Sequence, residues 1–354
     1  MNGPIVIMAG GTGGHIFPGI AVARALIARG ASVCWLGSVG GLETRLVPEA
    51  GIDIDTLDIG GVRGKNWATR LAAPWRLLRA VWSARRILKA RRARAVVSFG
   101  GFAAGPGGLA AKSLGLPVFV HEQNSIAGLT NRVLARMARS VFTGFSQARG
   151  LTGTMWLGNP VRAEIAGLAA PETRATHDQL HVLVLGGSQG ARALNRHVPA
   201  ALAVLARTDL AVRHQCGAKM LDDARAAYAE AGVAASVEPF IGDMAQAYAW
   251  ADLVICRAGA LTLAELCAAG VGAVLVPYPH AVDDHQTRNA EAMIAAGAAV
   301  LIPESRLDAT TLAATLEPLL ADPARRLAMA CAARTLAKPD ADADVASQIL
   351  KEAA

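Results

Sequence analysis

The amino-acid sequence predicts an α/β protein made of two doubly wound, Rossmann-like domains facing each other across a cleft. Three observations predict it. Glycine-rich turns recur at Gly10-Gly11-Thr12-Gly13-Gly14-His15, Gly100-Gly101-Phe102-Ala103-Ala104-Gly105-Pro106 and Gly186-Gly187-Ser188-Gln189-Gly190. Each follows an apolar run (5–9, 95–99, 181–185) that reads as a buried parallel strand, and each leads into an apolar helical pattern. Two turns lie early and one at the midpoint, so the 354 residues hold two such halves, in line with roughly 150 residues per domain.

The elements follow in order. Strand 4–9 leads to a helix near 18–29, strand 31–37, a helix near 41–50 and strand 52–58. A long helical stretch over 67–92 precedes strand 95–99, helix 106–115, strand 117–121, helix 127–138 and strand 140–143. A polar stretch around 166–180 separates the halves. The alternation then restarts with strand 181–186, helix 189–206, strand 211–216, helix 219–230, strand 235–239 and a short helix at 243–249. Strand 252–256, helix 261–269, strand 272–276, helix 285–297 and strand 299–302 complete it, and the alanine-rich tail after 307 is helical. Strands alternating with helices in this way argue for parallel sheets covered on both faces. The expected domains are 1–163 and 164–337, with a last helix at about 338–354 packing back on the first.

Composition narrows the function. Hydrophobic residues make up 53% and aromatics 5%, so aliphatic and alanine packing carries both cores. The five cysteines form no C-x-x-C pair, a reducing-compartment pattern rather than a disulfide framework or zinc site. The first strand begins within four residues without a basic leader, and no apolar run approaches the ~20 residues that span a bilayer. The expectation is a cytoplasmic protein, at most peripheral to a membrane. Residues 1–160 carry 19 Lys/Arg against 6 Asp/Glu, whereas 161–354 carry 16 against 22. The first half therefore reads as meeting an anionic partner; uneven surface charge with no partner is the plainer alternative.

Ligands on such sheets bind outside the carboxyl ends of the strands, where the polar motifs fall. A dinucleotide fingerprint anchored at Gly11 and Gly13 needs glycine or alanine at 16, which is Ile16, and no G-x-x-x-x-G-K-[ST] is present. His15 closes the first turn just before a helix. A neutral imidazole there can act as general base, or it can be a structural histidine bonded to backbone. Arg257-Ala258-Gly259-Ala260-Leu261-Thr262-Leu263-Ala264-Glu265 opens a helix whose first amides can meet a pyrophosphate. Glu265, a turn further on, can accept from two ribose hydroxyls; its other reading is a carboxylate favoured by the helix dipole. His121-Glu122-Gln123-Asn124 gathers four polar groups at a strand end, and Arg162 can reach a phosphate or be solvated at a boundary. Asp283 and Asp284 suggest Mg²⁺ weakly and helix capping more strongly.

Residues 62–94 carry eleven Lys/Arg and no acid. Leu71, Trp75, Leu78 and Trp82 share one helical face, which is either domain core or a surface lying on an anionic bilayer. The charge of the whole first half favours the bilayer, and no nucleic-acid recognition motif accompanies it.

The stretches 10–15, 100–106, 121–124, 159–162, 186–191, 257–265 and 280–289, in order over most of the chain, resemble the MurG family of bacterial glycosyltransferases. The resemblance implies the GT-B fold and an inverting transfer of N-acetylglucosamine from UDP-N-acetylglucosamine to the C4 hydroxyl of the muramyl sugar of lipid I, giving lipid II and UDP. It implies that Thr12, Gly13 and Gly14 lie beside the donor sugar, that Asn124 and Gln286 bond the sugar, and that Arg162 and Ser188 contact the diphosphate. Ile241, Ala260, Leu261, Thr262, Leu263, Ala264 and Glu265 would frame uracil, ribose and phosphate. The family's base falls on His15, and no cofactor is implied. Further implications are peptidoglycan synthesis, with roles in cell shape and division, at the cytoplasmic face of the inner membrane, and other cell-wall synthesis proteins as partners. No convincing Asp-x-Asp pair is present, so the leaving group need not rely on bound metal. The rivals are a sugar-nucleotide epimerase on the same fold and a non-catalytic nucleotide-sugar-binding protein.

Overall fold

The chain divides into two compact units, residues 1–162 with 340–354, and residues 163–339. The computed structural model describes residues 3–60, 73–174, 177–187 and 190–353.

In unit 1 the order is β1 (Ile5–Ala9), α1 (Gly13–Ala28), β2 (Val33–Ser38), α2 (Glu43–Glu49), β3 (Ile54–Leu57) and α3 (Ala73–Ala90). β4 (Ala95–Gly100), α4 (Ala104–Ser113), β5 (Val118–Glu122), α5 (Leu129–Ala135), β6 (Ser140–Thr143) and β7 (Thr154–Trp156) follow. The seven strands form one sheet in the order β3-β2-β1-β4-β5-β6-β7, and every pairing is parallel. β1 and β4 are buried throughout, and apolar but for Ser98, because helices cover both faces of the sheet. The strand order reverses between β1 and β4, so the crevice at their carboxyl ends is where a ligand is expected. Both early glycine turns lie there.

Unit 2 contains α6 (Ala163–Ala166), β8 (Leu180–Leu185), α7 (Arg192–Leu205), β9 (Leu210–Gln215), α8 (Leu221–Glu230) and β10 (Ser236–Glu238). Then come α9 (Met244–Trp250), β11 (Leu253–Cys256), α10 (Ala260–Ala269), β12 (Ala273–Leu275), α11 (His285–Ala295) and β13 (Ala299–Leu301). α12 (Ala309–Ala321) and α13 (Pro323–Thr335) end the unit, and α14 (Ala341–Glu352) returns to unit 1. The sheet order is β10-β9-β8-β11-β12-β13, again parallel throughout. Its reversal falls between β8 and β11, which precede the third glycine turn and the 257–265 stretch.

Among the described residues the expected elements are present with shifted ends, with the following differences. α4 starts at Ala104, because Pro106 sits in the first helical turn, where no N–H is required. The polar 166–180 stretch is no free connector: Arg174 donates to the carbonyls of Ala269 and Gly270, and Arg334 to that of Leu168, holding it on unit 2. β7, an added edge strand, and α6, a single turn, carry too little pattern to be seen in the sequence. The long basic helix runs over Ala73–Ala90, and the 67–72 part of its expected span lies outside the described residues. α14 buries Val345, Ala346 and Ile349 in the same core as Ile16, Ile20 and Leu26 of α1.

Candidate active site

In unit 1, Gly10–Thr12 turn the chain from β1 into α1. Thr12 is extended (φ −132°, ψ 157°) and makes no side-chain cap, and the first turn of the helix carries no acid. The turn closes through His15 N–H to the Thr12 carbonyl at 3.1 Å. Gly101 (φ +97°) packs backbone against backbone on this turn: a Cβ there would lie 2.7 Å from the Gly10 carbonyl oxygen. Gly100 (φ +100°) carries the half-buried His15 ring, since a Cβ at 100 would stand 3.1 Å from its Cε1. Position 100 thus needs glycine both for its positive φ and for the imidazole above it. The first two turns make one surface, with His15 across the seam.

Below that surface runs a buried hydrogen-bond chain. Ser98 Oγ donates to Asn131 Oδ1 at 2.9 Å and accepts the Gly100 N–H at 3.2 Å. Asn131 Nδ2 donates to Glu122 Oε2 at 2.9 Å. The Glu122 Oε1 accepts Asn124 N–H at 2.9 Å and Asn124 Nδ2 at 3.2 Å, and Oε2 accepts Gly128 N–H at 3.1 Å. Asn124 is therefore held by the buried Glu122 and linked to the turn under His15. Its neighbour His121 is structural. It is fully buried, stacks on Phe99 at 5.3 Å, and donates from Nε2 to the Gly158 carbonyl at 2.9 Å. Burial outweighs that bond and pushes its pKa down to about 4, so the ring is neutral at pH 7. Asn159 Nδ2 donates to the Gln123 carbonyl at 2.9 Å. Three residues further, the Arg162 guanidinium stands 5.5 Å over the Phe17 ring on α1. A Cβ at Gly13 would meet that same ring at 3.0 Å. Thr12, Gly13, Gly14, His15, Asn124 and Arg162 are thus brought to one edge of one sheet.

In unit 2, Gly187 (φ +77°) and Gly190 (φ +76°) flank the third turn, and Ser188 lies outside the described residues. α10 begins after Gly259 (φ −68°, ψ 138°) with no side-chain cap and no acid in its first turn. Its first amides have no partner within the helix, which suits an anion. Ala260, Leu263 and Glu265 are buried, while Leu261, Thr262 and Ala264 are half-exposed. Glu265 Oε2 accepts the Tyr248 hydroxyl at 3.1 Å. Ile241 is buried two residues before Asp243, whose Oδ1 caps α9 by accepting Gln246 N–H at 2.9 Å. Arg257 shapes the next loop: it donates to the carbonyls of Val276 and Pro277 and pairs with Glu304 at 2.5 Å. Gln286, on α11, accepts Tyr278 N–H through Oε1 at 2.9 Å.

The capping reading of Asp283 and Asp284 needs adjustment. Both are left-handed (φ +55° and +51°). Asp284 occupies the N-cap position of α11 without bonding a backbone amide, and its Oδ1 accepts the Thr287 hydroxyl at 2.7 Å. Among the described residues, no group of three or more His, Cys, Asp or Glu is placed to hold a metal ion.

α3 separates the two readings of its apolar face. The core side is Ala80, Ala84 and Leu88, all buried. Trp75, Leu78 and Trp82 are 72%, 48% and 64% exposed and line a shallow groove with Arg79 and Arg86; Leu71 lies outside the described residues. The stripe is not core. Arg91 pins the end of α3 to β3 through Asp55 at 2.8 Å. Among the described residues, no helix is long and apolar enough to cross a membrane.

Sequence reasoning missed Glu43, Ser98, Asn131 and Tyr248. The one available signal was Glu43 itself, an acid two residues after the glycine-rich 37–41 turn.

Open helix starts and glycine turns at the switch points of two parallel sheets, with a histidine at one and a buried carboxylate at the other, define a two-domain enzyme that handles a sugar nucleotide. Residues 5–143 match the glycosyltransferase family 28 N-terminal domain and residues 181–345 the family 28 C-terminal domain. The chain belongs to glycosyltransferase family 28 and, within it, to the MurG family. It is 62% identical over 352 residues (99% of this chain, 82% of the relative) to the UDP-N-acetylglucosamine--N-acetylmuramyl-(pentapeptide) pyrophosphoryl-undecaprenol N-acetylglucosamine transferase of Xanthomonas campestris pv. campestris. The crystal structure of Acinetobacter baumannii MurG is similar with a TM-score of 0.83 at 41% identity, covering 99% of both chains. A UDP-N-acetylglucosamine 2-epimerase candidate from Listeria monocytogenes has a TM-score of 0.70 at 14% identity, covering 100% of this chain and 98% of that one, and shares the fold alone.

Proposed function

We propose that this chain transfers N-acetylglucosamine, with inversion, from UDP-N-acetylglucosamine to the C4 hydroxyl of the muramyl sugar of lipid I, giving lipid II and UDP. The observation that carries this reading is the 62% identity over 99% of the chain to a transferase of that name. Nothing of comparable weight supports an epimerase or a non-catalytic binding protein.

The site residues fit the chemistry. Unit 2 takes the nucleotide: the start of α10 and the turn at 186–190 receive the diphosphate, and Glu265, held by Tyr248, accepts from the ribose hydroxyls. Unit 1 presents the acceptor and His15. The C4 hydroxyl attacks the anomeric carbon as the bond to UDP breaks, through an oxocarbenium-like state of the kind met in glycoside chemistry. His15 takes the hydroxyl proton, a step worth roughly 10²–10⁴-fold for a positioned base. The charge that develops on UDP is met by helix amides and Arg162. The exposed Trp75, Leu78 and Trp82 face, flanked by Arg76, Arg79 and Arg86, suits an anionic bilayer that carries the lipid acceptor.

The test is UDP release from UDP-N-acetylglucosamine with and without a lipid I analogue, in detergent. Release that requires the muramyl acceptor is expected. Donor binding with no acceptor-dependent release would overturn the reading.

A further inference from the structure

Glu43 has no part in the chemistry above, yet it is a fully buried acid beside the first glycine turn. It is the first residue of α2, and its two oxygens serve different elements. Oε1 accepts both the Ser38 N–H at 2.9 Å and the Ser38 hydroxyl at 2.6 Å, at the end of β2. Oε2 accepts the Gly11 N–H at 3.1 Å. The space it fills is cleared by glycines: a Cβ on Gly10, Gly37 or Gly41 would overlap its side chain. Burial alone raises its pKa; the bonds from Ser38, its own amide and Gly11 outweigh burial and hold the carboxyl below the ordinary 4.5.

We propose that Glu43 is a positioning residue for glycosyl transfer: its carboxylate fixes the Gly10–Gly11 turn and thereby sets where Thr12 to His15 stand at the start of α1. This rests on the assignment of His15 given above. Gly11 has φ +90° and open space where a Cβ would be, so its side offers nothing to restrain it. The bond from its amide to Glu43 supplies the restraint. A glutamine cannot replace the carboxylate. Three donors converge on two oxygens; if the amide oxygen keeps Ser38, the amide nitrogen faces the Gly11 N–H, donor against donor. Glu43→Gln therefore keeps size and the Ser38 contacts while releasing the turn.

The experiment compares wild type, Glu43→Gln, His15→Ala and the double variant in acceptor-dependent UDP release, with UDP affinity and thermal unfolding in parallel. Glu43→Gln is expected to lower turnover roughly 10- to 100-fold, the scale of a small misplacement of a catalytic group, with UDP affinity unchanged. The double variant is expected to be no slower than His15→Ala, because Glu43 acts through the turn that bears His15. A merely structural role predicts losses that multiply. In the wild type, Gly11 is expected to be strongly protected from hydrogen exchange at neutral pH relative to its intrinsic rate, and to lose that protection in Glu43→Gln. Wild-type turnover in Glu43→Gln, multiplying losses, or an unprotected Gly11 amide in the wild type would each overturn the proposal. Should Glu43→Gln fail to fold, the wild-type exchange measurement decides. Wild-type protein without acceptor-dependent release would instead bring down the functional reading, and a protected Gly11 amide would mark that failure as separate from the anchoring.

Discussion

The two sheets present their carboxyl edges differently. At the first, acids of the chain itself occupy the loop amides: Glu43 takes Gly11, and Glu122 takes Asn124 and Gly128. The helix starts themselves do not differ: α1, α2, α4 and α5 in unit 1 and α7, α8, α10 and α11 in unit 2 all begin without a side-chain cap. In unit 1 Glu43 and Glu122 hold the loops that carry His15 and Asn124. In unit 2 the buried carboxylate at the second edge, Glu265, accepts the Tyr248 hydroxyl. On the function proposed above, unit 1 places the hydroxyl and the base and unit 2 holds the diphosphate. The half proposed to take the anionic donor is the more acidic one, with 16 Lys/Arg against 22 Asp/Glu over residues 161–354.

The sharpest way to break this comparison is His15→Ala. Turnover should fall roughly 10²- to 10⁴-fold, as expected for removal of a general base, with UDP affinity unchanged by calorimetry. A variant that instead lost UDP affinity would place the nucleotide against the first edge and erase the division.

That division was half legible in the sequence. The glycine turns, His15 and the 257–265 stretch follow apolar strands directly, and a parallel sheet brings strand ends together whatever the rest of the chain does. Ser98, Asn131 and Glu43 come to the first edge from a strand interior, the helix α5 and the first residue of α2. Their meeting depends on register: β1 pairs β4 with a shift between Met8 and Ala9 that sets Ala9 beside Gly100. No local pattern encodes that shift. The exposed stripe on α3 was equally beyond periodicity, since Ala80, Ala84 and Leu88 form the buried face and alanines leave a weak trace in an alanine-rich chain.

Acid tests whether the halves also differ in how their cores tolerate charge. His121 in unit 1 and His214 in unit 2 are both buried, and burial pushes both pKa values down to about 4. The unfolded chain binds their protons near 6.5, so the folded state binds fewer between 6.5 and 4 and stability falls as pH falls through that window. Each contributes about 3 kcal/mol across it. His121→Phe should cost more at neutral pH than His214→Phe. It leaves the Gly158 carbonyl without its donor and Gln123 Nε2 without its ring acceptor, whereas among the described residues His214 bonds the Tyr228 hydroxyl alone, at 3.0 Å. Denaturant unfolding at pH 7 and pH 5 measures both effects. Equal costs at pH 7, or an acid slope unchanged by either substitution, would count against the argument.

The smallest expected effect belongs to the surface that only unit 1 carries. Trp75→Ser should weaken binding to vesicles containing anionic lipid about tenfold, since an indole leaving a partly apolar interface forfeits about 1–2 kcal/mol. Turnover on a soluble acceptor should not change, because the Trp75 side of α3 lies opposite the Ala80, Ala84 and Leu88 face that packs on the domain. Arg79→Gln should weaken the same binding by a smaller factor that fades as salt rises, because a basic residue near the surface contributes about 1 kcal/mol that screening removes. Vesicle sedimentation at two salt concentrations distinguishes the two losses. If the Trp75→Ser loss disappeared in high salt while the Arg79→Gln loss persisted, the indole would not be entering the apolar part of the interface, and α3 would be a charged docking face rather than a membrane one.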